Sequence, residues 1–198
     1  MPDTGWKSPS TVTGFWAGGN NWGNPQNAAT PTDVNFATWS GSKFNGHNPG
    51  DGPALLARNF NFNIPAKAII VGVEGYVRSG DTGNFAGNVA YLTTYSLRYD
   101  GSPLSYGSPP ALSEAYTDSW IPPYSSGVGS PQTWGDYIYG GPYTTWGSTL
   151  TPDIVNNANF GWNYMVYDDV APLGLQVSYM QMKIYYKFVS PVITMIGP

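Results

Sequence analysis

Residues 68–78 read Ala68-Ile69-Ile70-Val71-Gly72-Val73-Glu74-Gly75-Tyr76-Val77-Arg78, and their side chains alternate. Ile69, Val71, Val73 and Val77 form one set; Ile70, Gly72, Glu74, Tyr76 and Arg78 form the other. A period of two is that of a β-strand, whose successive side chains point to opposite faces of a sheet. The first set is expected to face a core. Two glycines inside so apolar a run would weaken a helix, and in a strand they mark a bulge or the close approach of another chain segment.

Working outward, Leu55 to Ile64 places Phe60, Phe62 and Ile64 on one side and Asn59, Asn61 and Asn63 on the other. Pro65-Ala66 then turns the chain, so this segment and the quoted strand read as a hairpin. Phe160 to Tyr167 alternates in the same way. From Leu175 to Val189 the longest strand sets Met180, Met182, Ile184, Tyr186 and Phe188 against Gln181, Lys183, Tyr185 and Lys187. Val34 to Trp39 and Val89 to Tyr99 are weaker strands, and the positions of Trp39 and Trp162 predict burial. The one helical signal is Thr151-Pro152-Asp153-Ile154-Val155, with an N-cap residue, a proline at the first helical position and an acid in the first turn. It predicts a short helix near residues 151–156.

The remaining chain is rich in turn-formers. The sequence has 25 Gly and 18 Pro but only 8 Lys and Arg, which argues against a helical protein. With 15 Tyr and 8 Trp it carries too much apolar bulk to stay disordered. Its 198 residues fit a single domain. Within it, residues 1–15 read as an N-terminal arm, residues 100–147 as a long excursion rich in Gly, Pro and Tyr, and residues 190–198 as an apolar C-terminal tail. Two Trp-Gly pairs, at Trp134 and Trp146, flank Gly140-Gly141-Pro142 as if at the corners of a local hairpin. Many strands joined by mixed, long connections predict an all-β, two-sheet, jelly-roll-like sandwich.

Chemistry is sparse. His47 is the only histidine and there is no cysteine, so a triad, a histidine metal site or histidine acid–base chemistry would have to use His47, and thiolate chemistry lacks its nucleophile. His47 sits in a turn-rich loop and reads as an exposed loop residue. Most of the twelve carboxylates fall in turns or at a helix start, where cap and turn chemistry accounts for them. Asp168 and Asp169 are the best candidates for a calcium ion, with Asp81, Asn84 or Asn88 as further oxygen ligands, but the spacing matches no calcium loop. A solvated acid pair is the plainer reading, and no metal or cofactor is expected. The formal charge of −4 offers no footprint for nucleic acid. No apolar run is long enough for a membrane helix. The first residues lack the pattern of a secretory signal, and an initiating Met suits cytoplasmic synthesis.

What remains is binding. Trp22, Trp120, Tyr124, Trp134 and Trp146 lie in expected loops, where flat rings can stack on sugars or anchor a protein interface. The sequence leaves both open. Val192, Ile193, Met195 and Ile196 give the tail an apolar surface that would dock on its own domain or on a neighbour.

Three segments resemble a β-sandwich domain of bacteriophage virion proteins. They are Phe60 to Arg78 with its Ile64-Pro65 turn; Trp146-Gly147 followed by Thr151-Pro152-Asp153-Ile154 and Asn159-Phe160-Gly161; and Val177 to Tyr186. The resemblance implies a non-enzymatic virion protein of the capsid decoration, cement or tail-associated type. It would be assembled in the host cytoplasm and bound to the major capsid protein or other virion proteins, as a homo-oligomer such as a trimer. The alternative is a tail-tip, fibre or cell-surface module that binds glycans through loop aromatics. A carboxylate-pair or calcium-assisted hydrolase ranks third.

Overall fold

The computed structural model describes residues 1–15, 22–32, 34–41, 54–81, 92–99, 102–103, 134–167 and 173–188. Nine strands are described: β1 (Thr11–Phe15), β2 (Ala37–Gly41), β3 (Ala54–Arg58), β4 (Ala68–Asp81), β5 (Leu92–Tyr99), β6 (Ser102–Pro103), β7 (Trp134–Gly141), β8 (Gly161–Tyr167) and β9 (Leu173–Phe188). They form two antiparallel sheets, ordered β1-β3-β8-β5-β6 and β2-β9-β4-β7. The fold is an all-β, two-sheet sandwich, as the alternation predicts.

One face of each sheet supplies the core. Val12, Leu55, Ala57, Leu97, Trp162 and Tyr164 come from the first sheet, and Trp39, Val73, Val77, Tyr139, Val177, Met180, Met182 and Ile184 from the second; all are buried. Trp146 meets Trp162 edge to face, with ring centroids 6.1 Å apart. Room for this pair comes from Gly75, where a Cβ would stand 3.1 Å from the Trp146 ring and 3.2 Å from that of Trp162.

The quoted strand departs from its expected parity at one place. β4 and β9 pair with a register irregularity between Ile70 and Gly72, so one extra residue flips the faces. Ile70 is buried while Ile69 is 43% exposed, which reverses the expected core role of Ile69; Val71 is half-buried. Beyond the bulge, Val73 and Val77 face the core as expected. The cause lies at Gly72, where a Cβ would come within 2.4 Å of the Gly141 carbonyl oxygen. Only a glycine lets the turn after β7 close down on β4.

Three further expectations are corrected. Residues 55–64 and β4 are not a hairpin: β3 ends at Arg58 and pairs with β1 and β8, whereas β4 pairs with β7 and β9. Asn59 and Asn61 take left-handed backbone (φ 59° and 53°), which breaks the strand yet keeps Phe60 and Phe62 inward, stacked 5.5 Å apart. Strand periodicity identifies a face, not the neighbouring strand. Residues 1–15 are not wholly an arm, since β1 begins at Thr11, in a β-branched run that suits a strand. The 100–147 excursion contains β7, an integral strand of the second sheet paired with β4 rather than half of a local hairpin.

The short helix α1 (Pro152–Val155) forms where predicted, with the Thr151 hydroxyl accepting from the Ile154 amide at 3.3 Å. Its following residue, Asn156, accepts from the Ile64 amide at 2.9 Å and donates to the Ile64 carbonyl at 2.8 Å. This tie fixes the crossing between the sheets just ahead of β4.

Candidate functional site

Strand parity that sends Val73, Val77, Met180 and Met182 inward sends Glu74, Tyr76, Arg78, Tyr179, Gln181, Lys183 and Tyr185 to the outer face of the second sheet. Register groups them in rows. Glu74 pairs with Lys183, Tyr76 with Gln181 and Arg78 with Tyr179 across β4 and β9. On the other side of β4, Gly140, Ile138 and Asp136 of β7 extend the same three rows.

The N-terminal segment completes this face. Lys7 and Met182 exchange both backbone hydrogen bonds at 2.9 Å, the Thr4 amide donates to Ile184, and the Tyr186 amide donates to Pro2. Residues 2–8 therefore line the edge of β9 beyond β2, and Trp6 is carried onto the outer face. Its ring lies with centroid 4.4 Å from the Lys183 ammonium and 5.6 Å from the Tyr76 ring. Lys183 also stands 5.1 Å from the Tyr185 ring centroid and forms an ion pair with Glu74 at 2.7 Å. Only 17% and 14% of these two charged side chains is exposed.

Next to this cage, the Tyr76 and Tyr179 rings stack 5.3 Å apart and their hydroxyls are 3.1 Å apart. The Tyr76 hydroxyl donates to Asp136 at 2.6 Å, and Arg78 approaches the same carboxylate at 3.3 Å. Asp136 remains 53% exposed, so it retains lone pairs for a ligand.

Electrostatics follow from this packing. Burial, together with hydrogen bonds to Asp136 and Tyr179, pushes the Tyr76 phenol far above the usual tyrosine range. Burial also raises Tyr185, aided by Glu74 and opposed by Lys183. For Lys183, burial pulls the ammonium down, but its hydrogen bond to Glu74 and the adjacent charge outweigh that and hold it above the ordinary lysine value. The face thus keeps neutral phenols beside fixed, paired charges at neutral pH. Such a surface can bind; its described acids are engaged in ion pairing and hydrogen bonding.

The residues expected to form a site divide sharply. Trp134 lies on the same face of β7, half-buried, with its ring 4.8 Å from Phe36. Trp22 and Trp146 are corrected: at 4% and 6% exposure they belong to the core. Trp22 is drawn in against Gly14, where a Cβ would come within 2.9 Å of it. Trp146 has left-handed backbone (φ 52°) in the turn that folds it beneath Gly140 and Gly75. Neither ring can stack a ligand. His47, Trp120, Tyr124, Asp168, Asp169, Val192, Ile193, Met195 and Ile196 lie outside the described residues. Among the described residues no three or more His, Cys, Asp or Glu gather as a metal site. Glu74, Tyr76, Tyr179 and Lys183 sit on the polar side of otherwise clear strands, and Trp6 sits in the expected N-terminal arm, so none of them stood out as a site residue in the sequence. The available signal was the excess of aromatic residues on those polar faces.

No protein-family model matches the chain, and no curated protein does. Among solved structures it is similar to the CBM22-1 xylan-binding domain from Paenibacillus barcinonensis, at 11% identity over 93% of this chain and 94% of that one, with a TM-score of 0.43. It is also similar to a cleaved adhesin domain of Lys-gingipain from Porphyromonas gingivalis, at 13% identity over 96% and 100%, with a TM-score of 0.40.

Proposed function

We propose that the chain is a non-enzymatic glycan-binding module whose ligand lies along the outer face of β4 and β9. The observation that carries this reading is the composition of that face: Trp6, Tyr76, Tyr179 and Tyr185 interleave with Glu74, Gln181, Lys183 and Asp136. Sugars present apolar C–H faces and a fringe of hydroxyls, so they are held by rings together with a few well-placed polar groups. From Tyr179 to Tyr185 the strand runs about 20 Å at ~3.3 Å per residue, enough for several pyranose units. Rigid strands hold these groups in place before the ligand arrives, which lowers the ordering cost of binding.

This is the tail-tip or cell-surface reading of the sequence, moved from loop aromatics to a sheet face. In a phage particle such a module would meet a host surface. The capsid-cement reading rests on the resemblance of three structural segments, and its docking tail, residues 190–198, lies outside the described residues.

Calorimetric titration against a panel of soluble oligosaccharides tests the proposal. Binding should occur with the wild type and weaken by about tenfold or more, roughly 1.4 kcal/mol, in Tyr179→Ala, while circular dichroism stays unchanged. A wild-type protein that binds none of a broad glycan array would refute it.

A further inference from the structure

We infer that the ligand of this face is an uncharged polysaccharide, and that the two ion pairs on it exclude anionic sugars. The inference rests on the glycan-binding reading above. The two partly buried cations of the face each have a carboxylate beside them, Lys183 with Glu74 at 2.7 Å and Arg78 with Asp136 at 3.3 Å, while Lys187 lies exposed farther along β9, beyond Tyr185. Lys183 is further enclosed by the rings of Trp6 and Tyr185. A uronate, sulfate or phosphate could take either cation only by displacing its partner, leaving a carboxylate unpaired beside the incoming anion. Like charges in one partly dry site repel strongly. A hydroxyl meets no such obstacle. It can donate to the exposed Asp136 carboxylate while Arg78 and Tyr76 hold that group in position, and it leaves both pairs intact.

Charge placement therefore sets specificity here, as a repulsive element against the wrong ligand. Neutral binding should also be insensitive to salt, because no ion pair forms or breaks. An anion held by a freed cation would be released as the Debye length falls to about 3 Å near 1 M salt.

The experiment titrates the full chain with neutral gluco-, manno-, galacto- and xylo-hexaoses and with an oligogalacturonate of equal length, at low and at high salt. Wild type should bind at least one neutral hexaose at both salt concentrations and should bind the uronate more weakly by about tenfold or more. Glu74→Gln and Asp136→Asn each remove the carboxylate that guards a cation, so each should gain salt-sensitive affinity for the uronate. Asp136 is exposed on strand β7, so its variant carries the test if Glu74→Gln fails to fold. Wild type binding the uronate as well as the neutral sugars, or Asp136→Asn gaining nothing, overturns the inference and leaves glycan binding standing. If wild type binds none of the sugars, the glycan-binding reading fails, and this inference with it.

Discussion

Replacing Trp6 with alanine should destabilise the fold as well as the proposed ligand site, because one ring serves both. Trp6 is half-buried, and a tryptophan in that state hides roughly 100 to 150 Å² of ring. At ~25 cal/mol per Å² its loss costs about 2.5 to 4 kcal/mol as an upper bound, or about 2 to 3 after allowance for a compact unfolded chain. Part of this is its contact with Lys183 at 4.4 Å, for which a partly desolvated cation over an indole contributes about 0.5 to 1 kcal/mol. In a domain of this size the total corresponds to a fall in Tm of roughly 5 to 10 °C. Urea unfolding of Trp6→Ala, Lys183→Met and the double variant isolates the pair. The two single effects should exceed the double by about 0.5 to 1 kcal/mol in the cycle. A Trp6→Ala loss below about 0.5 kcal/mol, of the size expected for an ordinary surface site, would show that the N-terminal segment is not seated on β9 as described.

Other outcomes follow from the same geometry. Deleting residues 1–8 should strip the hydrogen bonds of Met182, Ile184 and Tyr186 to that segment, so these three amides should exchange with deuterium much faster while those within the β4 and β9 ladder stay protected. Gly140→Ala should cost about 3 kcal/mol or more in urea unfolding, because Gly140 has φ 88° and a Cβ there would lie 2.2 Å from both the Trp146 indole nitrogen and the Val73 carbonyl oxygen. Tyr164→Phe should cost about 1 to 2 kcal/mol in thermal or urea melts, since it leaves the buried Ser79 hydroxyl without its partner at 3.2 Å. Alkaline titration should follow the raised phenols of Tyr76, Tyr164 and Tyr185. Because their folded pKa values exceed the unfolded value, their stabilising effect is complete below pH ~10 and is lost as pH rises above it. The tyrosinate absorbance of the fully buried Tyr164 should therefore appear with unfolding, not before it.

Strand identity was legible because two-fold alternation is strong in β4, β8 and β9, and the helix start was legible because Thr151, Pro152 and Asp153 each satisfy a separate local requirement. Strand partners were not. Pro65 ends one segment and α1 is tied to Ile64 through Asn156, but no periodicity tells whether the chain then returns beside β3 or crosses to the opposite sheet. Loop tryptophans misled for a related reason. Trp22 and Trp146 follow turn-rich sequence, yet Gly14, Gly75 and Gly140 open space into which each ring folds. For Trp146 that space depends on Gly75, far away in the chain.

The same parity logic makes the proposed binding face look like an ordinary solvent face in the sequence. In a two-layer sandwich the core takes one side of each sheet, and the other side holds whatever else the protein needs. Glu74, Tyr76 and Arg78 read as a solvent face because they oppose Val73 and Val77. Whether they become a site depends on what lies beside them. β9 supplies Tyr179, Lys183 and Tyr185 in register, β7 supplies Asp136, and residues 2–8 deliver Trp6 from the other end of the chain. The bulge between Ile70 and Gly72 matters here, since it sets the parity of every later residue of β4 relative to its start. Had the alternation of Ile69 continued unbroken, Glu74 and Tyr76 would still oppose Val73, but the start of the strand would present Ile70 rather than Ile69 to solvent. The bulge therefore lets one strand bury Ile70 at its entrance and keep Val73 and Val77 in the core farther along. Gly72, which admits the turn after β7 at that point, is where sequence, packing and the placing of the outer face are joined.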